Sequence, residues 1–217
     1  GYLAHDADLG TKMATQAVQY VGTPYVAGGN SPATGQRQSV VLLSNDDSAL
    51  PLSTDQKVFV DGLDPSVASR FGLIVNDAAE ADVIILFLNT VFNGNQPAGT
   101  DRVLDNMLAT MIPDDDLNFS PEIIRKAERY AEQATLITIV DLNRPAVLTE
   151  LEALSDALVG TFGVSDEAML DVVHGRHNPA GKLPFELPSS MAEVEAQLED
   201  LPDDTMNPLF PYGWGLS

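Results

Sequence analysis

The chain has 217 residues, 44% of them hydrophobic, and a formal net charge of −21 from 32 acidic and 11 basic side chains. That composition supplies one sizeable core. It lacks the clustered Lys and Arg that nucleic acid or an anionic membrane would need, so neither is expected as a partner. With no cysteine there are no disulfides, no thiol catalysis and no zinc site of the cysteine kind.

No apolar run reaches the roughly 18 residues of a membrane span. The start, Gly1-Tyr2-Leu3, carries no basic stretch followed by an apolar one, so no signal peptide is read there. It fits a mature protein or a piece of a longer one. The compartment stays open, with periplasm or exterior placed ahead of cytoplasm.

In chain order, residues 11 to 21 place Met13, Ala14, Ala17, Val18 and Val21 on one helical face, and Gly22-Thr23-Pro24 stops that helix. Residues 22 to 36 are rich in Gly, Pro, Ser, Thr and Asn without periodicity and read as a surface linker. The main domain is expected to begin near Gln38. Five apolar runs follow: Val40 to Leu43, Val58 to Val60, Val83 to Leu88, Leu136 to Val140 and Ala157 to Phe162. Several are continuous and β-branched, the pattern of strands covered on both faces. Helices are expected between some of them. The clearest is Pro121 to Glu132, with Ser120 as cap, Pro121 at the first helical position and Glu122 at the positive helix start. Residues 145 to 154 and 165 to 174 are further candidates. The alternation predicts an α/β layered sheet.

Residues 89 to 120 have no clean period. They follow an apolar strand at its carboxyl end, where open α/β sheets place ligands, and loops of that length are commonly functional. Within them, Asp101-Arg102 can brace the loop or ligate a sugar hydroxyl. Arg102 is the better candidate for substrate contact because it is always charged and carries five donors.

Other motifs are weaker. Gly160-Thr161-Phe162-Gly163 lacks the third glycine and the basic residue of a phosphate cradle, and there is no Gly-x-Ser-x-Gly elbow. His174 and His177 could be a metal pair or a base, but ordinary helix termination explains them better. Asp114-Asp115-Asp116 with Asn118 opens like a calcium loop, yet Phe119 and Arg125 stand where the loop glycine and closing Glu belong. No metal and no cofactor is therefore expected.

The end of the chain carries the densest signal. His177 to Pro188 holds three prolines and a glycine in twelve residues, which forbids a continuous helix and interrupts a sheet ladder. A loop with one short extended piece, Leu183 to Leu187, is expected. Asn178-Pro179-Ala180-Gly181-Lys182-Leu183-Pro184, with Phe210-Pro211-Tyr212-Gly213-Trp214-Gly215-Leu216-Ser217, resembles the carboxy-terminal domain of glycoside hydrolase family 3. Three further stretches agree in order: Ser39 to Asn45 with Leu50-Pro51-Leu52, Asn143-Arg144-Pro145, and Asp156 to Val159 with Gly175. The resemblance covers about residues 38 to 217.

That resemblance implies a six-stranded, mostly parallel sheet with one antiparallel strand, sandwiched between helices. It also implies a β-linked saccharide as substrate and a preceding (β/α) barrel that bears the Asp nucleophile. Residues 1 to 37 would then be the barrel's last helix and the linker. In many glucosidases of the family a Glu on the loop after a central strand is the general acid, and here that loop follows Leu88. Asn89 to Val91 contain no carboxylate, so Asp101 and Glu122 are the candidates for the acid, and Asn89 and Arg102 for substrate contact. The Gly-Gln-Glu-Gly-Gly motif of the family is replaced by Gly163 to Ala168. Three readings follow: a β-glucosidase-like enzyme's second domain, a non-catalytic carbohydrate-binding or scaffolding module, or part of an N-acetylglucosaminidase-like member whose acid lies in the barrel. An unrelated flavodoxin-like domain would need a different strand order.

Overall fold

The computed structural model describes residues 32–90, 116–198 and 203–217. The chain divides into two compact units, Gly1–Gly35 and Gln36–Ser217, and the second holds the sheet. The expected helix at 11 to 21 lies outside the described residues.

The sheet is built from β1 (Val41–Asn45), β2 (Lys57–Asp61), β3 (Leu73–Ile74), β4 (Val83–Asn89), β5 (Thr135–Asp141) and β6 (Ala157–Thr161), in the order β1-β6-β5-β4-β2-β3. All neighbours pair in parallel except β1, which runs antiparallel to β6. Each of the five apolar runs is a strand. The sixth strand, β3, has only two residues and gives no periodic signal. Its shortness suits an exposed edge.

Helices α1 (Pro32–Ser39), α2 (Pro65–Ala68), α3 (Pro121–Ala131), α4 (Thr149–Leu154), α5 (Asp166–Val173) and α6 (Met191–Ala196) complete the described part. Successive residues of the central strands feed opposite faces. Ile85, Phe87, Ile137 and Val159 join a core that includes Ala168, Met169 and Val172 of α5. Leu86, Leu88, Leu136 and Leu158 join one that includes Ile123 and Ala127 of α3 and Leu151 of α4. Burial on both faces explains why the strands read as continuous rather than alternating.

Two boundaries differ from the expectation. α1 begins at Pro32, inside the stretch read as irregular. It is fastened by contacts that no local pattern reveals. Gln36 Oε1 accepts from Ser165 Oγ at 2.8 Å, and Arg37 Nε donates to Asp171 at 2.5 Å. α4 begins at Thr149 rather than 145, because Val147 is held in a parallel bridge with Asn118 and donates to Leu117 O at 3.0 Å. α3 behaves as its sequence predicts, with the Ser120 side chain accepting from the Ile123 amide.

The chain's end closes the outer edge of β1. Gly181 N donates to Val40 O, Leu216 N to Leu42 O, and Trp214 Nε1 to Leu43 O. Leu183 exchanges backbone hydrogen bonds with Trp214 and Gly213, and Lys182 Nζ donates to Gly215 O. A Cβ on Gly181 would stand 2.4 Å from Val40 O, so only glycine permits this approach. The expected extended piece is shorter than Leu183 to Leu187. Regular pairing begins at β7 (Leu187–Pro188), antiparallel to β8 (Pro208–Phe210).

Candidate active-site region

The carboxyl ends of β4, β5 and β6 finish in one polar row. Asn89 lies opposite Asp141 in register, and Asp141 opposite Thr161. With Thr90, all four are at most 4% exposed. A buried carboxylate needs donors on its oxygens, and Asp141 has them. Oδ1 accepts from Gly163 N at 2.7 Å and Thr161 Oγ1 at 3.2 Å, and Oδ2 accepts from Asn143 Nδ2 at 3.1 Å. Gly163, at φ +66, is a left-handed turn residue that aims its N–H at this carboxylate. With both oxygens accepting, this carboxylate ties the loops after β5 and β6 to the sheet.

Above this row the loop after β5 grips its neighbours. Thr90 Oγ1 donates to Asp141 O at 3.1 Å and accepts from Arg144 N at 3.3 Å. The Arg144 guanidinium donates to Thr90 O and to Asp116 O, each at 3.1 Å. Beside them, at the end of β2, Asp61 accepts from Lys126 Nζ and Tyr130 Oη of α3, both at 3.0 Å. Burial, then the charge of Asp61 and the hydrogen bond to it, push the Tyr130 phenol up to about 12.

The predicted site residues separate. Asn89 closes β4 and is fully buried. Glu122 sits in the first turn of α3, exposed. Asp101 and Arg102 lie outside the described residues, as do Asp114 and Asp115. Asp116 Oδ1 accepts from the backbone and side chain of Asn118, a local turn. His174 is the capping residue at the end of α5. Its Nδ1 lies 3.0 Å from Leu170 O, its ring packs on Phe71, and burial lowers its pKa. Among the described residues, no three His, Cys, Asp or Glu side chains gather as a metal would require.

Asp141 and Thr90 were not singled out from the sequence, and Arg144 was noted only as part of a turn. The available signal was a carboxylate ending a mostly apolar strand, one residue before Asn143-Arg144-Pro145. A cavity of about 450 Å³ lies elsewhere, between Asn45, Leu50, Pro51, Val172, Asn178 and Leu216. Because β1 is antiparallel, Asn45 is level with the start of β6, so this cavity is remote from the polar row.

A mostly parallel sheet between helices, with buried polar groups ending its central strands, defines an α/β sandwich, a class whose open sheets commonly bind ligands beyond their carboxyl ends. The Glycosyl hydrolase family 3 C-terminal domain matches residues 68–217, and the chain belongs to this family. It is 39% identical over 186 residues to the probable beta-glucosidase C of Aspergillus flavus, covering 84% of this chain and 28% of that protein. It is 36% identical over 207 residues to the beta-glucosidase C of Emericella nidulans, covering 94% and 32%. It is also 36% identical to a periplasmic beta-glucosidase/beta-xylosidase of Dickeya chrysanthemi, covering 83% and 27%. The chain thus spans about a third or less of these relatives' length. The crystal structure of a beta-glucosidase from Listeria innocua in complex with glucose shares the fold, with TM-score 0.64 at 16% identity, over 85% of this chain and 33% of that one. The family and strand order together set aside a flavodoxin-like domain. No helix among the described residues is long and apolar enough to cross a membrane.

Proposed function

We propose that the chain is the second domain of an exo-acting β-glycosidase, β-glucosidase-like in substrate, and that it lends the segment after β4 to the sugar site. The observation that carries this reading is the family match combined with relatives named beta-glucosidase that are about three times longer. The nucleophilic Asp belongs to a (β/α) barrel elsewhere in the full-length protein, with residues 1 to 37 leading from it. The enzyme retains anomeric configuration. The barrel carboxylate forms a glycosyl ester as a general acid protonates the leaving oxygen, and water then releases the sugar.

On this chain, Asp101 and Glu122 are the candidates for that acid, and Asn89 and Arg102 for substrate contact. Glu122 begins a helix that directly follows the Asp116 to Asn118 turn. The relative named periplasmic supports a periplasmic or extracellular location.

The test compares the full-length protein with the 217-residue chain on aryl β-glucoside and β-xyloside. The full-length protein should hydrolyse the glucoside and the chain alone should not. Comparable activity from the chain alone would place the nucleophile here and defeat the two-domain reading. Replacing Asp101 or Glu122 by Ala in the full-length protein should lower the rate of the true acid variant about 100- to 10,000-fold. An unchanged rate in both would move the acid to the barrel, as in the N-acetylglucosaminidase-like alternative.

A further inference from the structure

We infer that Arg144 is a positioning residue for hydrolysis. It touches no sugar, and it sets the distance between the chain stem that leaves β4 and the stem that enters α3 beside the sugar site. This rests on the proposed function. Thr90 is the first residue beyond β4, and Asp116 begins the turn that leads into α3. One guanidinium donates to the backbone carbonyls of both, at 3.1 Å each. Because these are main-chain acceptors, the bonds fix backbone and not merely side-chain rotamers.

The brace is itself held rigid. Arg144 N donates to Thr90 Oγ1, and Thr90 Oγ1 donates to Asp141 O. Asp141 is locked in turn by Gly163, Thr161 and Asn143. Pro145 biases Arg144 towards extended backbone. Two residues further, Val147 N donates to Leu117 O and bridges Asn118, so the second stem is gripped again by main chain. The loop after β5 therefore clamps the stem at Thr90 by side chain and backbone, and the stem at 116–118 likewise. A planar fork with five donors spans two carbonyls in a set geometry, whereas an ammonium acts as a single point. Misplacing a reacting group by about 1 Å costs on the order of 100-fold in rate.

The experiment uses the full-length protein with Arg144→Ala, Arg144→Lys and Thr90→Val. Two quantities are read: kcat and KM on aryl β-glucoside, and amide exchange in peptides covering Leu117 and Val147. Arg144→Ala should lose about 100-fold in kcat/KM, mostly in kcat, with thermal unfolding still cooperative. Arg144→Lys should recover only part of this. Added guanidinium at non-denaturing concentration should raise kcat of the Ala variant and not of the parent. Exchange at Leu117 and Val147 should quicken about tenfold. Should Arg144→Ala fail to fold, Thr90→Val carries the test, with a smaller fall in kcat and the same exchange change.

Folded variants within twofold of the parent in kcat/KM overturn the inference. So does a loss confined to KM, which would make Arg144 a sugar contact. If the parent hydrolyses no β-glycoside, the positioning role falls with the functional reading. Exchange then separates the causes: faster exchange in Arg144→Ala leaves the brace intact and faults only the function, while unchanged exchange removes the brace as well.

Discussion

The outer edge of β1 and the carboxyl ends of β4 to β6 are both finished by irregular chain, yet they are built on opposite principles. At the edge, Gly181, Leu216 and Trp214 satisfy main-chain groups of an otherwise open strand, mostly through backbone donors. Such an edge would otherwise offer free hydrogen-bonding groups to another chain. At the strand ends, Asp141 and Thr90 are buried polar side chains, and with the half-buried Arg144 their hydrogen bonds hold loops. A buried polar row costs more to desolvate than apolar packing of the same volume. A fold that needed only stability would not require it there. The motif that identifies the domain is thus an edge-closing device, and the buried polar row sits in far less conspicuous sequence.

Mutations can break that contrast. The largest stability effect should come from Gly181→Ala, whose Cβ would meet backbone rather than a flexible side chain. About 3 kcal/mol of destabilisation is expected, measured by denaturant unfolding. The folded fraction of the full-length variant should keep its kcat. A normal melting temperature with reduced kcat would merge the two regions into one functional surface.

Asp141→Ala should cost less, about 2 kcal/mol, because the Gly163 amide loses its acceptor inside the protein while Asn143 can turn to water. Unlike the glycine variant, it should also lower kcat/KM of the full-length enzyme by disturbing the loop that carries Arg144. Full activity in Asp141→Ala would make the polar row a purely structural feature.

The smallest effect belongs to the cluster beside the row. Tyr130 should ionise near 12, because burial and then Asp61 oppose its anion. Its pKa is raised above the ordinary 10.0, so its contribution to stability is full below pH 10 and fades as pH climbs towards 12. Tyr130→Phe should remove the late step from an ultraviolet titration and flatten stability over that window. A single tyrosine step near 10 in the parent would show that α3 does not seal Asp61.

The strands were legible because burial on both faces demands continuous apolar runs, and α3 was legible because its cap and first-turn proline are local chemistry. β3 was not, since two residues carry no period. α1 was not, since its stability comes from Gln36 and Arg37 reaching Ser165 and Asp171, far along the chain. Asn89 became a candidate sugar contact because the family resemblance puts the site loop after Leu88. The pairing that buries it opposite Asp141 is a property of the register.

By itself the sequence determined the layered α/β class, the start of α3 and, through the ordered motifs ending in Phe210 to Ser217, the family. These depend on neighbours along the chain or on fixed residue order. Tertiary structure alone decided that Asp141 is a saturated anchor, that Arg144 joins the stems at Thr90 and Asp116, and that Gly181 exists to meet Val40. Each involves partners brought together by sheet order β1-β6-β5-β4-β2-β3, and hydrogen bonds between groups so distant in sequence leave no periodic trace.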